Sequence, residues 1–272
     1  GVNKVAFTGE TVTGRIIMRL AADTMKRVTL ELGGKSPNII FEDANLEDAI
    51  NGSLFAIFYN AGQSCEARSR LFVQESVYPE VVDRLAEKAG RIRVGNPFDP
   101  GTQVGAIISR GQMSGIQDYI ASGLDEGASL RAGGGKPDDP SLAAGNFLEP
   151  TILGDVTNDM RVAQEEIFGP VLVAIPFKDE AEAVALANDS MYGLAGTVWT
   201  QNVARAHRVA GAVQTGVMGI NTFVTAMPSL PFGGHKQSGI GRERGFETLH
   251  QYTEVKSVAV NTSERPINPW KL

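Results

Sequence analysis

The chain has 272 residues, of which 42% are hydrophobic and 21% are charged, which is typical of one large globular domain or two smaller ones. A formal net charge of -6 argues against a nucleic-acid partner or a polybasic membrane-binding patch, because both need clustered cations. A single cysteine excludes an internal disulfide, and no apolar run approaches the roughly 20 residues of a membrane span. We therefore expect a reducing, cytoplasmic location without an export signal.

The first sixty residues predict strands that alternate with helices. A buried strand at 5–7 enters a glycine turn and then a helix over 15–25. Strands follow at 28–32 and 37–41, and Asn45 caps a densely apolar helix that ends near Phe58.

The rest of the chain continues this alternation. The further predicted elements are a strand at 70–74, helices at 78–92 and 112–126, short strands at 128–132 and 147–153, a strand at 171–177, a helix around 183–186, a strand at 196–200, a helix at 204–210, and strands at 216–221 and 252–260. The two short strands at 128–132 and 147–153 flank a turn-rich loop, so we expect them to pair antiparallel with each other. The βαβ order elsewhere predicts a mostly parallel sheet that is covered on both faces.

Cys65 lies in the stretch YNAGQSCEARSR (59–70), where a polar glycine loop ends the apolar helix. A free cysteine is more often a small buried hydrophobe, but such a loop is typical of a presented reactive group. The carboxyl end of a helix raises the pKa of a nearby thiol, so activation must come from a base elsewhere. A cysteine–histidine pair is disfavoured by the positions of the three histidines, which are His207, His235 and His250.

Glu31 is the candidate base. It alternates with Leu30 and Leu32 on the predicted strand, and it precedes Gly33 and Gly34, which allow other atoms to approach the backbone closely. A carboxylate in a partly apolar cleft has a raised pKa and could accept a proton from a thiol or a water molecule. On residue type alone, a solvated strand glutamate is an equally good interpretation.

Three glycine loops predict a binding cleft. GETVTG (9–14) stands at a strand-to-helix turn, where free N–H groups could meet a phosphate, although it does not match GxGxxG. QEEIFGP (164–170) places two acids and an aromatic residue before a strand, and PFGGHKQSGIGRERG (231–245) mixes glycines with charges.

Four of these segments, taken in order, resemble the signatures of the NAD(P)-dependent aldehyde dehydrogenase superfamily: ELGGKSPNIIF, NAGQSCEARSR, EEIFGPV and PFGGHKQSGIGRE. FTGETVTG resembles that family's dinucleotide turn GxTxxG, and the resemblance covers essentially the whole chain. It implies an α/β fold, in which a mostly parallel sheet forms the catalytic domain beside a remnant of the doubly wound dinucleotide-binding domain. The implied divisions are 1–33 for the remnant, 34–235 for the catalytic domain, 236–250 for a return segment, and 251–272 for an oligomerisation strand and tail.

The resemblance also implies the reaction, in which an aldehyde is oxidised to a carboxylic acid with NAD or NADP as the hydride acceptor. Cys65 would be the nucleophile, passing through a thiohemiacetal and a thioester, and Glu31 would be the general base. The implied cofactor-binding residues are Gly9, Glu10, Gly14, Leu32, Gly33, Gln112, Glu166 and Phe168. No metal is implied, and a homo-oligomer is expected.

Members of the family are much longer than this chain. The part with no counterpart here carries the first strands of the cofactor domain, an asparagine of the oxyanion hole and the residues for the adenine ribose. We therefore expect a C-terminal fragment or a natural truncation with impaired activity. Two other functions stay open, a cofactor-independent cysteine esterase and a non-catalytic fragment. The side chains of Phe58, Tyr59, Phe223 and Met227 predict an apolar entrance for the substrate.

Overall fold

The computed structural model describes residues 1–265, 267 and 269–270. The strands are β1 Lys4–Thr8, β2 Arg27–Glu31, β3 Pro37–Ile40, β4 Arg70–Gln74, β5 Ser129–Ala132, β6 Thr151–Gly154, β7 Val171–Phe177, β8 Tyr192–Gly193, β9 Ala195–Trp199, β10 Val217–Ile220, β11 His235–Lys236 and β12 Gly239–Ile240. The helices are α1 Thr11–Ala22, α2 Leu46–Phe58, α3 Tyr78–Ala89, α4 Arg110–Asp125, α5 Arg161–Gln164, α6 Glu180–Asn188, α7 Val203–Ala212 and α8 Glu247–Gln251. Short 3-10 turns occupy Tyr59–Gly62, Glu75–Val77 and Pro140–Leu142.

A seven-stranded sheet in the order β10-β9-β3-β4-β7-β6-β5 forms the centre of the fold. Every neighbouring pair from β10 to β6 is parallel, and only the edge pair β5–β6 is antiparallel. Its middle strands read as continuous apolar runs, because helices cover both faces and no side of the strand meets water. The predicted α/β class, with a mostly parallel sheet and one antiparallel excursion, is confirmed.

A second, three-stranded sheet has the order β1-β2-β12. Strand β1 is parallel to β2, whereas β12 comes from the far end of the sequence and pairs antiparallel with β2. The connection 32–36 runs directly from β2 into the central strand β3, so Gly33 and Gly34 lie between the two sheets. The domain boundaries given above remain a prediction.

Helix α1 differs from its predicted bounds of 15–25. It begins at Thr11, because Glu10 is still extended, and it ends at Ala22, shortly before Met25 takes a left-handed φ of 49°. Gly14 therefore lies within the first turn of the helix and not in the preceding turn. A Cβ at Gly14 would stand 2.5 Å from Leu32 Cδ2, so glycine lets α1 pack closely against the end of β2.

The predicted strand at 252–260 is wrong for this chain on its own. Residues 253–263 have no strand assignment, and Val255 is 98% exposed. The alternating sequence pattern is typical of a strand, but in the part of the chain that the structure describes no other strand pairs with this segment. Within that same part, no helix combines the length and apolar character needed to cross a membrane.

Candidate active site

The loop that carries Cys65, residues 59–69, is here called the cysteine loop. Asn60, Ala61 and Gly62 all take positive φ values, of 53°, 55° and 70°. A Cβ at Gly62 would lie 2.0 Å from the carbonyl oxygen of Gly169, so this position accepts no side chain. Three consecutive left-handed residues are costly for the chain. They end helix α2 and turn the chain toward β4.

Cys65 is half-buried where the two sheets meet. Its side chain packs against a small apolar cluster formed by Leu194, Ala195, Val217 and Phe232. The backbone of the connection between β2 and β3 also touches it, since a Cβ at Gly34 would stand only 2.2 Å from the Cys65 carbonyl oxygen.

The surroundings of Cys65 favour the neutral thiol. Burial, first of all, raises its pKa to about 11, and the carboxylates of Glu66, Glu166 and Glu31 act in the same direction. This environment agrees with the expectation that the thiol needs a base elsewhere. The main cause of its raised pKa is burial, and not the carboxyl end of helix α2 on which the expectation was based. A thiol of this kind needs a proton acceptor before it can attack a carbonyl.

Glu31 ends strand β2, and only 4% of its surface is exposed. Its Oε2 atom is buried without a hydrogen-bond partner, and a Cβ at Gly233 would lie 2.7 Å from Oε1. Burial raises the pKa of Glu31 to about 8, Glu243 adds to the rise, and Arg242 partly opposes it. The interpretation of Glu31 as a solvated strand residue is wrong, because β12 and the segment before it fold over β2.

The segment 231–245 brings the acid and the thiol to one region. Phe232 belongs to the cluster that contacts Cys65, and the next residue, Gly233, lies against Glu31. Consecutive Cα atoms are about 3.8 Å apart, so two neighbouring residues span both groups. The charge of Glu31 is also close enough to act on the thiol. The arrangement offers a nucleophile and a proton acceptor in a partly dry cleft.

A cavity of about 700 Å³ lies between the start of α1, helix α4 and the segment 164–168. Neither Cys65 nor Glu31 lines it, but Glu166 on its wall binds the N–H of Gly34, which contacts Cys65. Five of the eight predicted cofactor-binding residues line it, namely Gly9, Glu10, Gln112, Glu166 and Phe168. Gly14 and Leu32 do not line the cavity, and they pack against each other instead. Gly33 supports it from behind, since a Cβ there would lie 2.2 Å from Glu166 Oε2.

Glu166 and Gln112 are held by the backbone. The N–H of Gly34 donates to Glu166 Oε1 at 3.0 Å, and this bond partly offsets the rise in the Glu166 pKa that burial causes. Gln112 donates through Nε2 to the carbonyl oxygens of Ile167 and Phe168, each at 3.0 Å. Gln112 therefore supports the loop of Phe168, whose φ of 53° is left-handed.

These residues fit a dinucleotide. The cavity volume lies in the usual range for cofactor sites, and a half-buried carboxylate such as Glu166 can accept hydrogen bonds from ribose hydroxyls. The first turn of α1 contains no acidic residue, and the Glu10 side chain does not cap it, so its N–H groups can meet a phosphate. Gly9 takes no part in this, because its N–H already donates to the Glu31 carbonyl at 3.0 Å.

Several buried polar residues escaped the sequence analysis, among them Lys35 and Ser238. Lys35 is 1% exposed, its Nζ has no hydrogen-bond partner, and burial lowers its pKa to about 7. Ser238 is fully buried; its Oγ donates to the Gly33 carbonyl at 2.6 Å and accepts from the Gly193 N–H at 3.0 Å. Lys35 lies in the motif ELGGKSPNIIF and Ser238 in PFGGHKQSGIGRE. Polar residues among glycines are typical of exposed loops, so nothing in the sequence except these motifs indicated that the two residues belong to the site. Within the described residues, no cluster of three His, Cys, Asp or Glu could hold a metal ion.

Comparison with known proteins identifies relatives over nearly the whole chain. The family model described as "Aldehyde dehydrogenase family" matches residues 1–258. A betaine aldehyde dehydrogenase of Bacillus subtilis is 45% identical over 98% of this chain and 54% of its own length. The structure of a Staphylococcus aureus betaine aldehyde dehydrogenase in complex with NAD+ is 42% identical with a TM-score of 0.96, over 99% of this chain and 53% of that one.

A third similar protein is an aldehyde dehydrogenase of Bacillus cereus, also solved as an NAD+ complex. It is 49% identical with a TM-score of 0.93, over 96% of this chain and 52% of that chain. The chain thus spans about half the length of the relatives that it matches. Because the family model covers nearly all of its residues, the chain belongs to the aldehyde dehydrogenase family.

Proposed function

We propose that the protein carrying this chain oxidises an aldehyde to a carboxylic acid with NAD, using Cys65 as the nucleophile and Glu31 as the general base. The observation that carries the proposal is that Cys65 packs on the cluster of Phe232 while Glu31 lies against the next residue, Gly233. Structures of two relatives contain NAD+, and this chain has a cavity lined by Glu166 and the first turn of α1 that supports NAD as the cofactor.

In the first step, Cys65 Sγ attacks the carbonyl carbon, and its proton passes to the Glu31 carboxylate directly or through one water molecule. Because the thiol has a pKa of about 11 and the acid one of about 8, proton transfer before attack is uphill, and it becomes favourable only as the new C–S bond forms. The backbone N–H of Cys65 donates to the oxygen that gains negative charge. The product is a thiohemiacetal on Cys65.

Bound NAD would accept the hydride that leaves the substrate carbon, and Glu166 with the first turn of α1 would hold it. What then remains on the protein is a thioester on Cys65. Glu31 first releases to solvent the proton that it took from the thiol. The carboxylate then takes a proton from water, the water oxygen attacks the thioester carbon, and the C–S bond breaks to release the acid. The leaving sulfur recovers this second proton from Glu31, so one carboxyl group serves both halves of the reaction.

The substrate we propose is betaine aldehyde or another aldehyde with a trimethylammonium group. Phe55 stacks on Tyr59 with ring centroids 5.2 Å apart and contacts Phe223 at 4.8 Å, at the end of α2 that leads to Cys65. Aromatic faces attract quaternary ammonium ions, and the Glu66 carboxylate adds negative charge close to the thiol. The betaine aldehyde dehydrogenases among the relatives support the same substrate class.

The test compares betaine aldehyde with 3,3-dimethylbutanal, its neutral isostere, by following NADH formation. We expect kcat/KM to be about tenfold higher for the cation, which is the value of one good cation–π contact. The variants Cys65→Ala and Glu31→Gln should form no measurable NADH. Equal rates for the two aldehydes would refute the cationic preference. NADH formation that persists in Cys65→Ala would refute the oxidation mechanism, and thiol-dependent ester hydrolysis without any NADH would favour the esterase alternative.

We also propose that the protein self-associates through the tail. Residues 253–260, which follow α8, have no helix or strand assignment, and Val258 and Val260 are 73% and 76% exposed. An extended segment with unpaired backbone groups can add to the sheet edge of a second copy. Light scattering should give fewer subunits per particle for a chain that ends after Gln251 than for the full chain. An equal number of subunits would contradict this assembly. The lone cysteine further favours a reducing compartment.

A further inference from the structure

Arg68 lies in the cysteine loop, and only 2% of its side chain is exposed. Its Nε donates to Thr197 Oγ1 at 3.3 Å, and Nη1 donates to the Glu66 carbonyl at 2.6 Å and to Glu66 Oε2 at 3.2 Å. Nη2 donates to Thr225 Oγ1 at 2.6 Å. One buried guanidinium therefore joins the cysteine loop to strand β9 and to the residues that follow β10.

Those residues, 221–227, are here called the entrance segment. Phe223 packs on Phe55 and lies over Gly52, where a Cβ would stand 3.2 Å from its ring. The Thr225 hydroxyl accepts from Arg68 and donates to Glu66 Oε2 at 3.1 Å, which closes a ring of three side chains. Because a buried charge is stable only when its donors are satisfied, this ring strongly favours a single position of the entrance segment.

We propose that Arg68 is a positioning residue that fixes the entrance segment against the cysteine loop, so that Phe223 stays on Phe55 and the cleft beside Cys65 keeps its shape. This proposal rests on the role of Cys65 as the nucleophile proposed above. The planar fork of arginine matters here, since three acceptors on three different elements must be reached from one group.

Arg68 also has an electrostatic effect on the thiol. The charged groups that act on Cys65 are the carboxylates of Glu66, Glu166 and Glu31 and the guanidinium of Arg68 itself. Among the carboxylates, Glu66 acts most strongly, and Arg68 is its ion-pair partner. Removal of Arg68 would leave the Glu66 charge uncompensated beside the sulfur and raise the pKa of the thiol further.

Alkylation of Cys65 by iodoacetamide, measured against pH, tests the electrostatic part without requiring turnover. Because the chain has a single cysteine, all reacted thiol reports on this site. We expect Arg68→Met to slow alkylation at pH 9 about tenfold, which corresponds to a rise in the thiol pKa of about 1. The double variant Arg68→Met with Glu66→Gln should return to within about threefold of the parent, because both charges are gone.

Steady-state kinetics test the positioning part. Arg68→Lys keeps the charge but cannot reach all three acceptors, so we expect near-normal alkylation together with a KM for the aldehyde raised about tenfold and a smaller change in kcat. Thr225→Val, which removes one hydroxyl, should raise KM about threefold in a chain that still folds. Arg205→Met is the control, since Arg205 is an ion-paired arginine that is only partly buried, with its partner Asp43 outside the cysteine loop.

Alkylation at the parent rate in Arg68→Met, or no recovery in the double variant, would overturn the electrostatic part. An unchanged KM in both Arg68→Lys and Thr225→Val, or equal changes in Arg205→Met, would overturn the positioning part. If no aldehyde is oxidised at all, the proposed function fails, and the alkylation series still decides whether Arg68 controls the thiol.

Discussion

Replacing Glu31 with glutamine should stabilise the fold while it removes the proposed base. In the folded chain the carboxyl group is buried, Oε2 lacks a partner, and the pKa is about 8 instead of the ordinary 4.5. Between these two pH values the folded state holds a proton that the unfolded chain has released. Stability therefore falls as pH rises through this range, because the folded state binds more protons than the unfolded one.

The magnitude follows from the same two pKa values. At about 1.4 kcal/mol for each tenfold change in proton affinity, the full difference sets an upper limit of about 5 kcal/mol. The opposing effect of Arg242 and Arg244 is already contained in the pKa of about 8, but water can relax around a charged group at the cleft, so we expect about 2 kcal/mol. Glutamine carries no charge at any pH and avoids this loss.

Urea unfolding of both proteins at pH 5 and pH 9 measures the effect. The free energy of unfolding of Glu31→Gln should exceed that of the parent by about 2 kcal/mol more at pH 9 than at pH 5. Glu75→Gln, at an exposed glutamate, serves as the control and should show no such widening. If the gap between Glu31→Gln and the parent is the same at both pH values, the carboxyl group does not have a raised pKa, and its assignment as a base loses its physical support.

Three further predictions concern the same region. The kcat/KM for the aldehyde should rise as pH increases through about 8, since Glu31 must be ionised to accept a proton, and a pH-independent profile would contradict this. Gly34→Ala should lower kcat/KM about 100-fold, because the new Cβ would stand 2.2 Å from the Cys65 carbonyl oxygen, whereas Gly211→Ala in α7, with open space around it, should leave kcat/KM unchanged. Arg70→Met should lower the free energy of unfolding by about 3 kcal/mol or more in urea titrations, because it leaves the carbonyls of residues 35 and 187 without a donor; a loss below about 1 kcal/mol would refute this.

The order and class of the elements could be predicted because the signals are local. Apolar runs of four to seven residues between helical patterns leave little choice except a parallel sheet, and the antiparallel edge pair followed from a turn-rich loop between two short strands. The start of α1 could not be predicted, since GETVTG is typical of a turn. Its helical course depends on close packing between Gly14 and Leu32, which are far apart in sequence.

The sequence could identify residues of the site but not how deeply they are buried or what covers them. Quoted motifs contained Cys65, Glu31 and Glu166, but the burial of Glu31 depends on β12, which pairs with it from about 200 residues downstream. Sequence alone gives no measure of such a covering segment, so a solvated glutamate was an equal alternative. Arg68 escaped for a similar reason, because EARSR has the polar character of a surface loop and its acceptors Thr197 and Thr225 are distant in the chain.

The two reacting groups belong to different sheets, with Glu31 on the three-stranded sheet and Cys65 on a loop of the seven-stranded one. The Ser238 hydroxyl holds the connection after β2 in place, since it donates to the Gly33 carbonyl and accepts from the Gly193 N–H in β8, just before β9. Loss of this hydroxyl would leave Cys65 in place but misalign Glu31. Because thiol attack and thioester hydrolysis both need that carboxylate, the protein would lose both halves of the reaction together.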